Sequence, residues 1–199
     1  MAASKGHVGP IEILLNAGVS VNGPGTSLTP LQAAAQAGHQ PAVALLLRRN
    51  ADITEGRMRM GTALHMAAWG GHTAVADILL NARAYTEERT VKLETPLHMA
   101  AQNSQLGPLQ LLLSRGAYPN AKDSEGSEPV DRAGAKNIRK ALEGSMLQHT
   151  FEARTFYKMK HCSFCGKIMW GVRKQGLKCT GCHLMTHQRC LDQGLTGQC

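Results

Sequence analysis

The sequence predicts an α solenoid over residues 1–143, followed after a five-residue linker (144–148) by a small metal-stapled domain over residues 149–199. Three observations lead there. A seven-residue motif recurs every 33 positions, the period of a stacked helical repeat. All six cysteines of the 199-residue chain lie beyond position 161. Formal net charge is +8 but unevenly spread: residues 1–148 hold 14 Lys+Arg against 12 Asp+Glu, and residues 149–199 hold 8 against 2, so the small domain carries most of the basic balance. No apolar run approaches the roughly 18 residues that a membrane-spanning helix needs.

The solenoid is read from its copies. Thr29-Pro30-Leu31-Gln32-Ala33-Ala34-Ala35 returns as Thr62-Ala63-Leu64-His65-Met66-Ala67-Ala68 and as Thr95-Pro96-Leu97-His98-Met99-Ala100-Ala101, then decays to Glu128-Pro129-Val130-Asp131-Arg132-Ala133-Gly134. Thr followed by Pro starts a helix well, because proline in the first turn gives up an N–H that has no partner there. Paired alanines let two short helices approach closely. The runs ending Leu45-Leu46-Leu47, Ile78-Leu79-Leu80 and Leu111-Leu112-Leu113 supply a second helix whose apolar side faces the neighbouring copy. Gly38, Gly71, Gly116 and Gly126 fall at turns. One such unit cannot bury its own face, so stability comes from stacking. The expected boundaries are a half repeat at 2–25, repeats at about 29–61, 62–94 and 95–127, and a worn capping repeat at 128–143 whose second helix, 137–143, is short and basic. The half repeat at one end and a final cysteine at the other read as a piece of a longer polypeptide or a truncated gene model.

In the last quarter, His149 is followed by Cys162-x2-Cys165, Cys179-x2-Cys182, His187, Cys190 and Cys199. Eight soft donors are enough for two closed tetrahedral zinc sites. A lone C-x2-C is weak evidence, whereas two pairs with H-x2-C after the second are strong. The alternative is three disulfides, as in small secreted domains. Against it, residues 1–20 show no signal-peptide pattern and the other 148 residues contain no cysteine. Fifty-one residues with few large apolar side chains cannot build an adequate core unaided. Metal thiolates without an export signal point to a reducing, cytoplasmic setting.

The 33-residue pattern resembles the ankyrin repeat, with Asn120-Ala121-Lys122-Asp123-x-x-Gly126 similar to its hairpin finger. The cysteine and histidine spacing, together with Phe151 and the segment Trp170–Cys179, resembles the phorbol-ester/diacylglycerol-type zinc finger of protein kinase C and its relatives. The combined resemblance implies an α solenoid of ankyrin repeats plus a small zinc-stapled, mostly β domain. It also implies an interleaved ligand set: His149, Cys179, Cys182 and Cys199 for one zinc, and Cys162, Cys165, His187 and Cys190 for the other. The final spacing is x8 where the family usually has x7, and Met159 stands where lipid-binding members carry proline.

The functional expectation is a non-enzymatic signalling adaptor. The array would bind a protein partner, and the finger would dock on anionic, diacylglycerol-permissive membrane at the inner face. Met159, Trp170 and Val172 would enter lipid, ringed by Lys158, Lys160, Arg173 and Lys174; the resemblance gives Gly171 and Gln175 the role of shaping the groove. Because Met159 replaces proline, dependence on diacylglycerol is expected to be weak. Two alternatives stay open: a finger that binds protein or is purely structural, and a regulatory fragment of a larger signalling enzyme such as a kinase or GTPase regulator. Nucleic acid is not expected, since the basic residues flank rim loops rather than line a helix. His65 and His98 read as local turn-steadying groups rather than catalysts, and Glu87-Glu88 as a solvated face. Trp69 occupies a position that varies between copies (Gln36, Gln102) and reads either as packed under a finger or as a partner anchor. Arg57 and Arg59, at a finger tip, would join it.

Overall fold

A computed structural model describes residues 2–24, 28–55 and 61–146, together with the backbone of five short strands between 151 and 186. A short 3-10 turn, Ala3–Lys5, precedes helix α1 (Val8–Asn16). Three helix pairs follow: α2 (Pro30–Gln36) with α3 (Gln40–Arg48), α4 (Ala63–Gly70) with α5 (Thr73–Asn81), and α6 (Pro96–Gln102) with α7 (Leu106–Ser114). The last pair is α8 (Pro129–Arg132) with α9 (Lys136–Met146). First helices pack on first helices and second on second along the array, which is the expected stacking.

Composition explains the closeness of that stacking. Ala34, Ala35, Ala67, Ala68, Ala100 and Ala101 are all fully buried, and their small methyl groups let the first helices approach closely. Leu46, Leu79 and Leu112 are buried at the same register of the second helices, with Ile138 and Leu142 completing the core under α9. The capping helix is longer than the 137–143 read from sequence: it begins at Lys136 and runs to Met146.

Two ladders of side-chain hydrogen bonds tie each repeat to the next. In one, the residue three places after the motif threonine turns back on its own helix start and also reaches 29 residues ahead. Gln32 Nε2 donates to the Gly61 carbonyl (2.6 Å), His65 Nε2 to Glu94 (3.2 Å) and His98 Nε2 to Ser127 (3.2 Å). In the other, the residue before a second helix reaches back to the end of the previous first helix. His39 Nε2 donates to the Ser4 carbonyl (3.1 Å) and His72 Nε2 to Gln36 (2.9 Å). One repeat on, Gln105 holds that position, and the bond to the Trp69 carbonyl (2.6 Å) comes instead from Asn103 Nδ2 at the end of α6. Glycine is required beside these rungs. Gly38 has φ +78°, and a Cβ there would stand 2.5 Å from His72 Nδ1.

The forward ladder ends by chemistry at the capping repeat. Asp131 occupies the position of His65 and His98, and its Oδ2 accepts from the Glu128 N–H (2.8 Å). A carboxylate can brace its own helix start but has no N–H to pass on.

Beyond the array, β1 (Phe151–Arg154), β4 (Gly176–Cys179) and β5 (Met185–Thr186) form an antiparallel three-stranded sheet in the order β1-β4-β5. A second antiparallel pair joins β2 (Lys160–His161) and β3 (Ile168–Met169). The described residues of this region are thus β strands.

Candidate functional site

Two candidate sites emerge, a groove on the array and the zinc-finger region. The groove lies between the first helices and the finger that links α5 to α6. Its lining includes Gln36, Met66, Trp69, Val91, Lys92 and Met99, around a cavity of about 550 Å³. Trp69, at the end of α4, is 38% exposed, and Val91 across the cavity is 66% exposed. The indole is therefore not sealed beneath a finger; it forms one wall of an open, mostly apolar recess. Thioether and indole groups adapt well to apolar and aromatic side chains. The backbone under Trp69 is held by Asn103, so the ring projects from a fixed point. Arg57 and Arg59 lie outside the described residues.

His65 and His98 are structural groups whose reach exceeds the local role expected of them. The Thr62 N–H and hydroxyl both donate to His65 Nδ1 (3.0 Å each), which leaves the ring's one proton on Nε2 for the Glu94 carbonyl. His98 repeats this with Thr95 and Ser127. Both rings are buried, and burial holds His65 down to about pKa 4 and lowers His98 as well. Each nitrogen is committed and each ring is neutral, so neither imidazole is free for acid–base work.

Glu87 departs from the solvated face expected of the Glu87-Glu88 pair. Its Oε1 accepts from the Tyr118 N–H (3.0 Å) and cross-links two neighbouring fingers, while Oε2 is buried without a partner among the described residues. Burial pushes its carboxyl up to about 7, although the Tyr118 N–H and Arg89 pull the other way. Proximity in sequence to Glu88 gave no hint that the next finger would fold over it. Arg132, the buried Asp123 and Glu125 form a second unforeseen cluster, which fastens the last finger to α8.

In the finger region the described backbone supplies register rather than side-chain contacts. Phe151 pairs with Cys179, so β1 starts, two residues after His149, against the end of the strand that closes on Cys179, three residues before Cys182. Strand β2, which leads directly into Cys162, packs against β5, which leads directly into His187. The donor set of six thiols and two imidazoles fits two zinc ions, and full ligation by protein would leave no open position on either. The side chains of His149, Cys162, Cys165, Cys179, Cys182, His187, Cys190 and Cys199 lie outside the described residues. So do those of Lys158, Met159, Lys160, Trp170, Gly171, Val172, Arg173, Lys174 and Gln175.

Comparison with known proteins follows the same division. The family model for the phorbol esters/diacylglycerol binding domain (C1 domain) matches residues 149–196. Models for ankyrin repeats match residues 56–123 and 27–56. The chain therefore carries ankyrin repeats over 27–123, followed by a C1 domain at 149–196. Domains of the C1 family typically bind two zinc ions. The C1 region resembles those of several signalling proteins. RAS guanyl-releasing protein 4 of Bos taurus is 44% identical over 50 residues, which is 25% of this chain and 7% of that protein. Protein kinase C zeta type of Oryctolagus cuniculus is 36% identical over 61 residues, 31% of this chain and 10% of the kinase. Serine/threonine-protein kinase D3 of Mus musculus is 48% identical over 46 residues, 23% of this chain and 5% of the kinase. The chain thus spans a tenth or less of the length of these relatives.

Proposed function

From ankyrin repeats followed by a C1 domain, we propose a non-enzymatic signalling adaptor of the cytoplasm that holds a protein partner on its array and docks through its C1 domain on anionic membrane. The observation that carries the partner half is Trp69. It stands part-exposed in an apolar recess where the flanking copies place Gln36 and Gln102. Such an aromatic side chain is the kind that anchors an interface. The non-enzymatic reading is supported by the neutral, fully bonded state of His65 and His98.

The membrane half draws on chemistry. With zinc holding the fold through His149, Cys179, Cys182 and Cys199 and through Cys162, Cys165, His187 and Cys190, Lys158, Lys160, Arg173 and Lys174 would meet the anionic surface. At roughly 1 kcal/mol each, they supply about 4 kcal/mol. Met159, Trp170 and Val172 would add about 1.5–3 kcal/mol apiece on burial, less whatever is already shielded. That is enough for reversible recruitment without a specific lipid.

A second reading, in which the C1 domain binds protein or is purely structural, is favoured by one observation: Met159 stands where lipid-binding members have proline. A third, a regulatory piece of a larger enzyme, draws only on the names of the relatives. Co-sedimentation of the zinc-loaded chain with phosphatidylserine vesicles, with and without diacylglycerol, separates the first two. The adaptor reading expects salt-sensitive binding with little diacylglycerol dependence, abolished by the double substitution Arg173→Glu and Lys174→Glu. Failure to bind such vesicles at low salt sinks it in favour of the second reading.

A further inference from the structure

The helix nearest the C1 domain carries a charge pattern that the other second helices lack. Between them α3, α5 and α7 hold two charged side chains, Arg48 and Asp77, of opposite sign. In α9, Lys136, Arg139 and Lys140 fall at i, i+3 and i+4, which places them on one side of the helix. All three are exposed, while Ile138 and Leu142 on the opposite side are fully buried. None of the three has an acidic partner among the described residues, and Arg139 reaches only the Ala133 carbonyl (3.5 Å).

The charges around this face do not cancel it. Helix α7, on which α9 packs, contributes none. In α8, Arg132 is tied to Asp123 and Glu125, and exposed Asp131 is the one anion. Glu143 lies seven residues after Lys136, at the far end of the same side, so three cations against one anion leave α9 at +2. A capping helix needs a polar outer face to stay soluble, but solubility does not ask for one sign.

Position decides what such a face meets. Helix α9 ends at Met146, three residues before His149, where the match to the phorbol esters/diacylglycerol binding domain begins. Three residues of chain reach at most about 11 Å, and Lys140 lies only about 9 Å back along the helix from Met146. A C1 domain docked on a bilayer therefore holds α9 near that surface, with no long linker to let it drift away. Basic residues on an amphipathic helix beside a bilayer are drawn to anionic headgroups. We propose that the Lys136-Arg139-Lys140 face of α9 is a second membrane contact, which lays the capping helix on anionic phospholipid headgroups beside the C1 domain. This contact rests on the reading that the C1 domain docks on anionic membrane, and it makes the array's last helix part of the docking surface.

Co-sedimentation of the full zinc-loaded chain with mixed phosphatidylserine and phosphatidylcholine vesicles at low salt tests this through paired variants. Lys136→Glu with Lys140→Glu should lower the partition coefficient by about tenfold or more, since each basic residue near an anionic surface contributes about fivefold. Arg139 stays in place because of its bond to Ala133. Lys5→Glu with Arg48→Glu makes the same change in net charge on exposed residues elsewhere in the array, and should change partition by less than about twofold. The melting midpoint of the helical signal should be the same in all three chains. Acetylation of Lys136 and Lys140 by an N-hydroxysuccinimide ester, read by mass spectrometry against Lys5, should slow severalfold when vesicles are added to the wild-type chain. Equal partition of the two paired variants, or unchanged acetylation of the α9 lysines in bound protein, overturns the proposal; C1 docking then survives if Arg173→Glu with Lys174→Glu still abolishes binding. If that C1 pair has no effect while the α9 pair removes binding, the C1 reading falls and the α9 contact stands. A wild-type chain that ignores the vesicles at low salt overturns both.

Discussion

Among the described residues between Ala2 and Met146, neighbouring repeats are held together by buried alanines, register leucines and the rungs of two hydrogen-bond ladders, all made from the chain's own groups. Between His149 and Cys199 the described strands are two to four residues long, and the chain's six thiols and two imidazoles are concentrated there. The array stores its stability in repetition and spreads it over many small interfaces. The C1 domain, of a family that typically binds two zinc ions, would concentrate its own in metal. What the difference teaches is that the two parts should fail under different insults: the array to a change of side chain or pH, the C1 domain to removal of metal.

The array breaks most severely at a rung. His65→Ala would strand the Thr62 N–H and the Glu94 carbonyl in the interior and leave a void, costing about 3–5 kcal/mol. Urea unfolding followed by helical signal measures this, and the loss should leave zinc content unchanged. His65→Gln should be far milder, since Gln32 already makes both contacts in the first full copy, taking the Thr29 N–H on Oε1 and donating from Nε2.

Acid gives a slightly smaller effect. His65 falls from its ordinary 6.5 to about 4 on folding, so the unfolded chain binds the proton more readily. Stability is complete above pH 6.5 and is lost as pH falls toward 4, by at most about 3 kcal/mol. Glu87 acts in the opposite sense. Its raised carboxyl favours the neutral form, so its contribution declines as pH rises from 4.5 toward 7. Melts across pH 4 to 8 should show His65→Gln flattening the acid limb and Glu87→Gln flattening the neutral one.

Trp69→Ala should matter least to folding, by under about 1 kcal/mol for a side chain already 38% exposed. If Trp69 is the anchor, partner capture should drop while the melting midpoint holds. A midpoint that falls by many degrees, with capture lost only through unfolding, would move Trp69 into the core.

Much of the array was legible because its signals are local and repeated. The Thr-Pro starts, the alanine pairs and the leucine runs all predict their helices, and each lies where expected. The ladders were less legible, since a motif shows that His65 caps its own turn but not that its far nitrogen meets Glu94, 29 residues on. The Gly38-His39 and Gly71-His72 pairs, 33 residues apart, carried a signal for the second ladder. Glu87 was illegible for the opposite reason: its burial depends on Tyr118 in another finger, and nothing in its own neighbours encodes that fold-over. At the C1 domain the cysteine and histidine spacing pointed to the family that the comparison finds over residues 149–196. The rim loops, whose function turns on side-chain placement, lie outside the described residues.

Zinc analysis with chelation of the intact chain tests the contrast most directly. The zinc-loaded protein should hold close to two zinc ions, and a strong chelator should remove both, abolish vesicle binding and expose all six cysteines to alkylation. The helical signal of the array and its melting midpoint should stay within error of the untreated protein, because none of the implied ligands lies between Ala2 and Met146. A single zinc per chain, cysteines that alkylate only after reduction, or a helical signal that collapses along with the metal would contradict the account.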